Sequence, residues 1–96
     1  MGSSKVIDLH VHSFMRNTSG FSAYELQELS LERLQEALDQ GLRSGLSELQ
    51  VIHGKGKGIL KERCYACLED YLRRGKIMDY TPSFFNEDTV IVRFPL

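Results

Sequence analysis

Apolar residues follow two periods that alternate along the chain. Short apolar runs are separated by longer segments in which leucines recur three or four residues apart. The runs are typical of buried strands, and the longer segments are typical of amphipathic helices. The pattern predicts, in chain order, a strand over Lys5–Leu9, a helix from Ser22 to about Arg43, a strand over Glu48–His53 and a helix over Ile59–Arg74.

The C-terminal part of the chain predicts a hairpin. Lys76–Thr81 is a predicted third strand ended by Pro82, and Thr89–Phe94 is a fourth that is rich in β-branched residues. The short loop between them makes these two strands antiparallel. Strand–helix–strand crossovers are right-handed, which puts both helices on one face of the sheet. The predicted fold is therefore an α/β two-layer sandwich of order β-α-β-α-β-β with a mixed four-stranded sheet.

The first helix carries recognisable end signals. Ser22 at the N-cap and Glu25 three residues later form a capping box. Gly41 and Gly45 mark the helix exit. The apolar stripe that should face the sheet consists of Leu26, Leu29, Leu34, Ala37, Leu38 and Leu42.

Length and charge narrow the class of protein. A chain of 96 residues suits one domain over residues 5–96, with residues 1–4 as a leader or a cut inside a longer protein. The net charge of −1 excludes a strongly basic binder, so any nucleic-acid contact must come from a local patch. No apolar run has the length of a membrane span, and no signal-peptide core begins the chain. We expect a cytoplasmic protein without membrane contact.

Two cysteines, Cys64 and Cys67, have the C-x-x-C spacing of redox and zinc sites. They fall within the second predicted helix, in step with Leu60 and Leu68, and no second pair with zinc-site spacing accompanies them. We expect both to pack toward the core as reduced thiols.

The stretch between the second strand and the second helix contains a histidine, three alternating glycines and two lysines. These residues are His53, Gly54, Lys55, Gly56, Lys57 and Gly58. A glycine-rich turn lets the backbone approach a ligand, and the first amides of the next helix favour an anion such as phosphate. The spacing matches neither a Walker A loop nor the dinucleotide fingerprint. The alternative interpretation is a flexible connection with solvated lysines.

Polar side chains also surround the end of the first strand. Asp8 interrupts its apolar residues, and His10 and His12 follow. The carboxyl ends of parallel strands lie at one edge of a sheet, so we expect Asp8, His10 and His53 to converge there. A metal shared by Asp8, His10 and His12 would require the strand to continue to residue 12, and we expect His12 on a loop instead.

These residue types suit phosphodiester chemistry. An imidazole can take a proton from an attacking hydroxyl or water, and a carboxylate can orient it or hold Mg²⁺ or Mn²⁺. Backbone amides and lysines can stabilise charge on a phosphate. Asp8, His10 and His53 are thus candidate catalytic residues, with purely structural hydrogen bonds as the alternative.

Two motifs resemble those of a known family. Ile7-Asp8-Leu9-His10 resembles the LDLH motif of the Smr (small MutS-related) domain, and His53-Gly54-Lys55-Gly56 resembles its HGxG motif. Element order and spacing are similar from Val6 to Phe94, in particular to the Smr-like domain at the C-terminus of larger bacterial proteins of unknown function.

The resemblance implies a sandwich like the C-terminal domain of translation initiation factor three. It also implies binding of RNA or DNA and, in many members, metal-aided endonuclease activity, with Mg or Mn as the metal to test. Asp8 and His10 would be the catalytic pair, and His53 with the glycine-rich loop would hold the phosphate. The alternative function is a non-catalytic module that docks ribosomal RNA or a protein within a longer chain.

The chain departs from the Smr pattern in three ways. Val11 stands where glycine is usual, the loop from His12 to Phe21 is longer, and the first helix is markedly acidic. These departures bear on access to the site more than on the fold. If Asp8 and His10 open onto a solvent-reached cleft beside Gly54–Gly58, catalysis is favoured. If Val11 and the long loop cover them, the module is favoured.

Asp8 to Ser13 also resembles the D-x-H-x-H-S motif of the PHP phosphoesterases. That family needs a barrel of about 200 residues or more and further metal ligands downstream, where this chain has only His53. The length excludes this alternative. Among the aromatic residues, Tyr80, Phe84, Phe85 and Phe94 could stack on bases, but we expect them to pack in the core or within loops.

Overall fold

The computed structural model describes residues 3–54 and 58–95. Its elements follow the predicted order, which is confirmed. They are β1 (Ser4–Asp8), a 3₁₀ turn (Val11–Ser13), α1 (Ala23–Ser44), β2 (Glu48–Ile52), α2 (Ile59–Arg73), β3 (Asp79–Pro82) and β4 (Thr89–Arg93). Neither helix within these ranges combines the length and the apolarity that crossing a membrane requires.

The four strands form one mixed sheet in the order β1-β2-β4-β3. β1 and β2 are parallel, and β4 is antiparallel to both β2 and β3. Asp8 at the end of β1 pairs with Ile52 at the end of β2, and Ile52 pairs with Thr89 at the start of β4. We call this boundary, marked by Asp8, Ile52 and Thr89, the site edge of the sheet.

Both helices cover the same face of the sheet, as predicted. Alternate strand residues such as Leu49, Val51 and Val92 are fully buried in a core shared with Leu34 and Leu68. The strand residues between them, including Val6, face the uncovered side and stay partly exposed. The period of two along each strand therefore produces two layers.

The start of α1 is as predicted, and so is most of its buried face: Leu34 and Leu38 lie in the core, and Ala37 and Leu42 pack against it. Ser22 accepts a hydrogen bond from the Glu25 amide at 3.1 Å, and the Glu25 carboxylate accepts from the Ser22 amide at 2.8 Å. The buried residues are Ser30, Leu31, Leu34, Leu38 and Gly41, whereas Leu26 and Leu29 are only partly buried.

The assignment of Gly41 to the helix exit is wrong. Gly45, with φ of +74°, caps α1, and Gly41 lies inside the helix. A Cβ at Gly41 would lie 2.7 Å from Cζ of the buried Phe94. Gly41 is thus needed because Phe94, directly after β4, packs against the helix there.

The third strand begins later than expected. It starts at Asp79, not Lys76, and includes Pro82, which an edge strand tolerates. Ile77 precedes it and is buried in the core. The packing expected for the cysteines is confirmed: Cys64 is fully buried, which raises its pKa to about 12, and burial also raises the pKa of the half-buried Cys67.

Candidate functional site

Asp8 and His10 form a hydrogen-bonded pair at the site edge. His10 Nδ1 lies 2.6 Å from Asp8 Oδ1, and the His10 amide donates to the same oxygen at 2.9 Å. A carboxylate only accepts, so Nδ1 carries the proton and Nε2 of a neutral ring keeps its lone pair. The two side chains are 52% and 40% exposed. The pair is thus a solvent-reached base oriented by a carboxylate.

The backbone of this pair is held from α1. The buried Ser30 hydroxyl donates to the Leu9 carbonyl at 2.6 Å, and Arg33 Nε donates to the Asp8 carbonyl at 3.0 Å. Ser13 adds a bond to the Asp8 carbonyl at 3.0 Å. Ser30 and Arg33 were not among the predicted site residues, although a serine amid the leucines of a helix is a signal that could have indicated a tertiary contact.

Gly54 lies directly against the His10 ring. Its φ is +99°, and a Cβ at this position would lie 2.8 Å from His10 Nε2. Glycine is therefore required here both for the backbone conformation and for space. The sequence led us to expect that the backbone here approaches a ligand closely. In the structure, the group that Gly54 approaches closely is His10 of the same chain.

His53 is placed at the site edge but behind its surface. The residue is 4% exposed, and its ring packs edge-on against Tyr65 with 5.8 Å between centroids. Nδ1 lies 2.9 Å from the Gly54 carbonyl, so it carries the proton, and buried Nε2 has no partner among the described residues. Burial lowers the pKa of His53 and favours the neutral ring.

The loop between β3 and β4 is hydrogen-bonded to the backbone at the site edge. The amides of His53 and Gly54 both donate to the Asp88 carbonyl, at 2.8 and 3.2 Å. These bonds join the glycine motif to the strand hairpin.

The N-terminus of α2 completes the edge. Gly58 is its N-cap, and no side chain of residues 3–54 and 58–95 caps the helix. Helix N-termini of this kind favour an anion. Lys61 in the first turn contributes positive charge near His53. The predicted contributions of Lys55, Gly56 and Lys57 lie outside the described residues.

A cleft of about 180 Å³ lies between His10, the first turns of α1 and Leu60 in the first turn of α2. Val11 lines the cleft together with His10 and Leu60, and it does not cover the pair. The full lining is Leu9, His10, Val11, Leu26, Gln27, Ser30 and Leu60. The pair is therefore exposed and not covered by Val11. Whether the cleft continues beside residues 55–57 falls outside the described residues.

A metal site built by protein ligands alone is not formed in residues 3–54 and 58–95. No group of three or more His, Cys, Asp or Glu side chains converges there to hold an ion. His12 lies in the 3₁₀ turn beyond β1 and is exposed, in agreement with a position off the strand. The single carboxylate of Asp8 does fit Mg²⁺ or Mn²⁺, since Mg²⁺ is often held by one carboxylate together with waters and substrate phosphates.

The expectation that all four aromatic residues pack is only partly right. Phe94 is buried, and Tyr80 is partly buried with its hydroxyl donating to Glu69 at 2.7 Å. For Phe84 and Phe85 the expectation is wrong, because they are 101% and 94% exposed. They lie on the turn between β3 and β4.

Comparison with known proteins gives matches of three kinds. Residues 24–87, about two thirds of the chain, match the family model described as the Smr domain. Endonuclease MutS2 of Thermomicrobium roseum is 43% identical over 44 residues, which is 46% of this chain and 6% of that protein. The crystal structure of the Smr domain of Thermus thermophilus MutS2 superposes with a TM-score of 0.70 at 21% identity, covering 96% of this chain and 99% of that one.

The three matches differ in what they show. The structural match includes nearly the whole chain and shows a shared fold. The family match contains the glycine motif but begins after Asp8 and His10. The short aligned segment of the MutS2 protein shows that this chain corresponds to a small part of that relative.

Proposed function

Because the chain belongs to the Smr domain family, we propose that it binds RNA or DNA and cleaves a phosphodiester bond at Asp8 and His10. The observation that carries this proposal is the Asp8–His10 pair, exposed to solvent at the sheet edge where α2 also begins. A base and an anion site close together are what phosphodiester cleavage requires.

In the proposed reaction His10 Nε2 takes the proton of the attacking oxygen, from water or a ribose hydroxyl. That oxygen bonds to phosphorus as the bond to the leaving oxygen breaks, and the leaving oxygen takes a proton from solvent. Asp8 stabilises the imidazolium that forms, as a carboxylate does for a catalytic histidine. General base help of this kind contributes roughly 10²–10⁴-fold.

The phosphate is proposed to lie at the N-terminus of α2, where backbone amides stabilise its developing charge. Lys55 and Lys57, with Gly56 between them, are proposed as additional phosphate contacts. His53 supports the site from behind, since its Nδ1–H bond to the Gly54 carbonyl orients the residue on which His10 rests. A bound Mg²⁺ or Mn²⁺ would stabilise charge on the phosphate oxygens, and Asp8 is the residue that would hold it.

The test is cleavage of end-labelled single-stranded RNA and branched DNA with Mg²⁺, Mn²⁺ or a chelator. Native protein is compared with Asp8→Asn and His10→Ala, and His12→Ala is the matched control because that exposed histidine lies outside the pair. We expect cleavage to fall by about 10²-fold or more in the first two variants and to persist in the control. Equal rates in all four proteins would indicate a contaminating nuclease and refute the enzymatic part.

Binding is tested separately. Phosphate contacts predict an affinity that falls steeply with salt, and a smaller salt slope in a Lys55→Ala/Lys57→Ala variant. If binding is salt-sensitive but neither the native protein nor any variant cleaves, the domain is a recognition module within a longer chain. A native protein that neither binds nor cleaves nucleic acid would reject the proposed function altogether.

A further inference from the structure

Two adjacent aromatic rings on the turn between β3 and β4 are fully exposed. Phe84 and Phe85 are 101% and 94% exposed, so neither takes part in the core. Beside them is an open groove of about 530 Å³, lined by Thr81, Pro82, Ser83, Phe84, Phe85 and Ile91. Exposed apolar patches of this kind are commonly interaction sites, because folding alone gives no reason to keep them.

The rings are presented by an ordered turn. The Ser83 hydroxyl accepts the amides of Phe85 and Asn86 at 3.2 and 3.3 Å, and the Thr89 amide donates to the Asn86 carbonyl at 3.1 Å. A platform held in this way loses little conformational freedom when a ligand is bound.

The turn belongs to the site edge. Its last residue, Asp88, accepts the backbone bonds of His53 and Gly54. Asp8 on β1 and Pro82 on β3 are separated by three strand spacings, because the sheet order is β1-β2-β4-β3. At about 4.8 Å per spacing this is roughly 14 Å. The rings and the Asp8–His10 pair therefore lie at the same edge of the sheet. The groove beside the rings, with Thr81 and Ile91, opens toward the face that the helices leave uncovered.

Charge distinguishes the rings from the helix layer at this edge. Glu87 and Asp88 follow the rings in the turn, whereas the positive charge of Lys61 lies in the helix layer, over the Tyr65 ring of α2. A neutral ring face near carboxylates suits a base better than a phosphate. A nucleic acid at this edge would place its backbone toward α2 in the helix layer and its bases toward the rings.

We propose that Phe84 and Phe85 stack on unpaired bases of the strand whose phosphate lies at Asp8 and His10. The substrate class would then be single-stranded nucleic acid, or an unpaired segment of a structured one. Bases within a duplex are already stacked on both faces, whereas unpaired bases can be splayed onto aromatic side chains. This inference rests on the proposed function and specifies its substrate.

The test measures binding of a fluorescent single-stranded oligonucleotide, and of the same sequence as a duplex, by anisotropy at fixed salt. The proteins are native, Phe84→Ala/Phe85→Ala, Phe84→Leu/Phe85→Leu and Phe84→Tyr/Phe85→Tyr. Met78→Ala is the control, because Met78 is exposed and apolar but lies at the opposite end of the hairpin. Circular dichroism checks that all variants fold as the native protein does. We expect this because both rings are fully exposed.

We expect the alanine variant to lose affinity for the single strand by about tenfold or more, with the leucine variant close to it. The tyrosine variant should bind as the native protein does. Duplex binding should change less than about twofold, since phosphate contacts supply it.

Four outcomes would overturn the inference. Full binding by the alanine variant would reject the platform while the proposed function stands. Full binding by the leucine variant would replace stacking by a general apolar contact. Unchanged binding together with loss of concentration-dependent self-association would make the rings a protein contact. A native protein that binds no nucleic acid would reject the proposed function itself, and the inference with it.

Discussion

Replacing Gly54 by alanine tests the geometry of the site most directly. The residue has φ of +99°, where an alanine costs about 1–2 kcal/mol. The new Cβ would lie 2.8 Å from His10 Nε2, so the ring must move. His10 is half exposed and can turn outward, at the expense of a bond to Asp8 worth less than about 1 kcal/mol at such exposure.

The free energy of unfolding should thus fall by about 1–3 kcal/mol. At about 4–8 °C per kcal/mol for a domain of this size, the melting temperature should fall by at least about 4 °C. The effect on cleavage should be larger, because a displacement of about 1 Å in a catalytic group costs about 10²-fold. The two effects have different causes and can be separated.

Gly20→Ala and Gly45→Ala are matched controls. Both glycines have positive φ, +88° and +74°, and a Cβ at either would meet nothing within 4 Å. Thermal unfolding followed by circular dichroism should show comparable losses of stability in all three variants. Cleavage, and the NMR signal of the His10 ring, should change only in Gly54→Ala. An unchanged His10 signal with native cleavage in that variant would refute the contact.

Two further predictions concern stability. Burial lowers the pKa of His53 below the ordinary 6.5 that it regains on unfolding, so the unfolded chain binds more protons and stability should fall as pH drops below about 6.5. His53→Asn keeps a donor toward the Gly54 carbonyl, and it should reduce the difference in unfolding free energy between pH 7.5 and pH 5.5, measured by urea unfolding. An unchanged difference would count against His53 as its source. Gly41→Ala gains about 1 kcal/mol of helix propensity but places a Cβ 2.7 Å from buried Phe94, and such overpacking costs about 1–3 kcal/mol. We expect a net loss, partly recovered by adding Phe94→Leu, and a rise in melting temperature for the single variant would contradict the contact.

The parts of the fold that could be predicted from the sequence rest on local signals. The Ser22–Glu25 capping box needs only four residues, and the strands of β1 and β4 follow from side-chain alternation. The parallel pairing of β1 and β2 follows from the helix between them. That pairing was enough to predict that Asp8, His10 and His53 would lie at one edge of the sheet.

The errors occurred where a residue's role depends on a distant partner. Glycine is typical of helix ends, but the role of Gly41 is set by its contact with Phe94, more than fifty positions later. Leu26 fits the helix period but lies beside the cleft, because the first turns of α1 extend to the site edge. Such contacts leave no local pattern.

The chain's own order of apolar and polar residues determined the elements, their succession and the edge at which the candidate chemistry gathers. Only the tertiary structure decided how each group is presented there. It put His53 behind the surface, opened Asp8 and His10 to a cleft, and left Phe84 and Phe85 without cover. Exposure depends on which elements pack over a residue, and that packing joins segments far apart in the chain. A local pattern can therefore place a side chain on an edge, while the assembled layers determine whether it meets solvent, core or ligand.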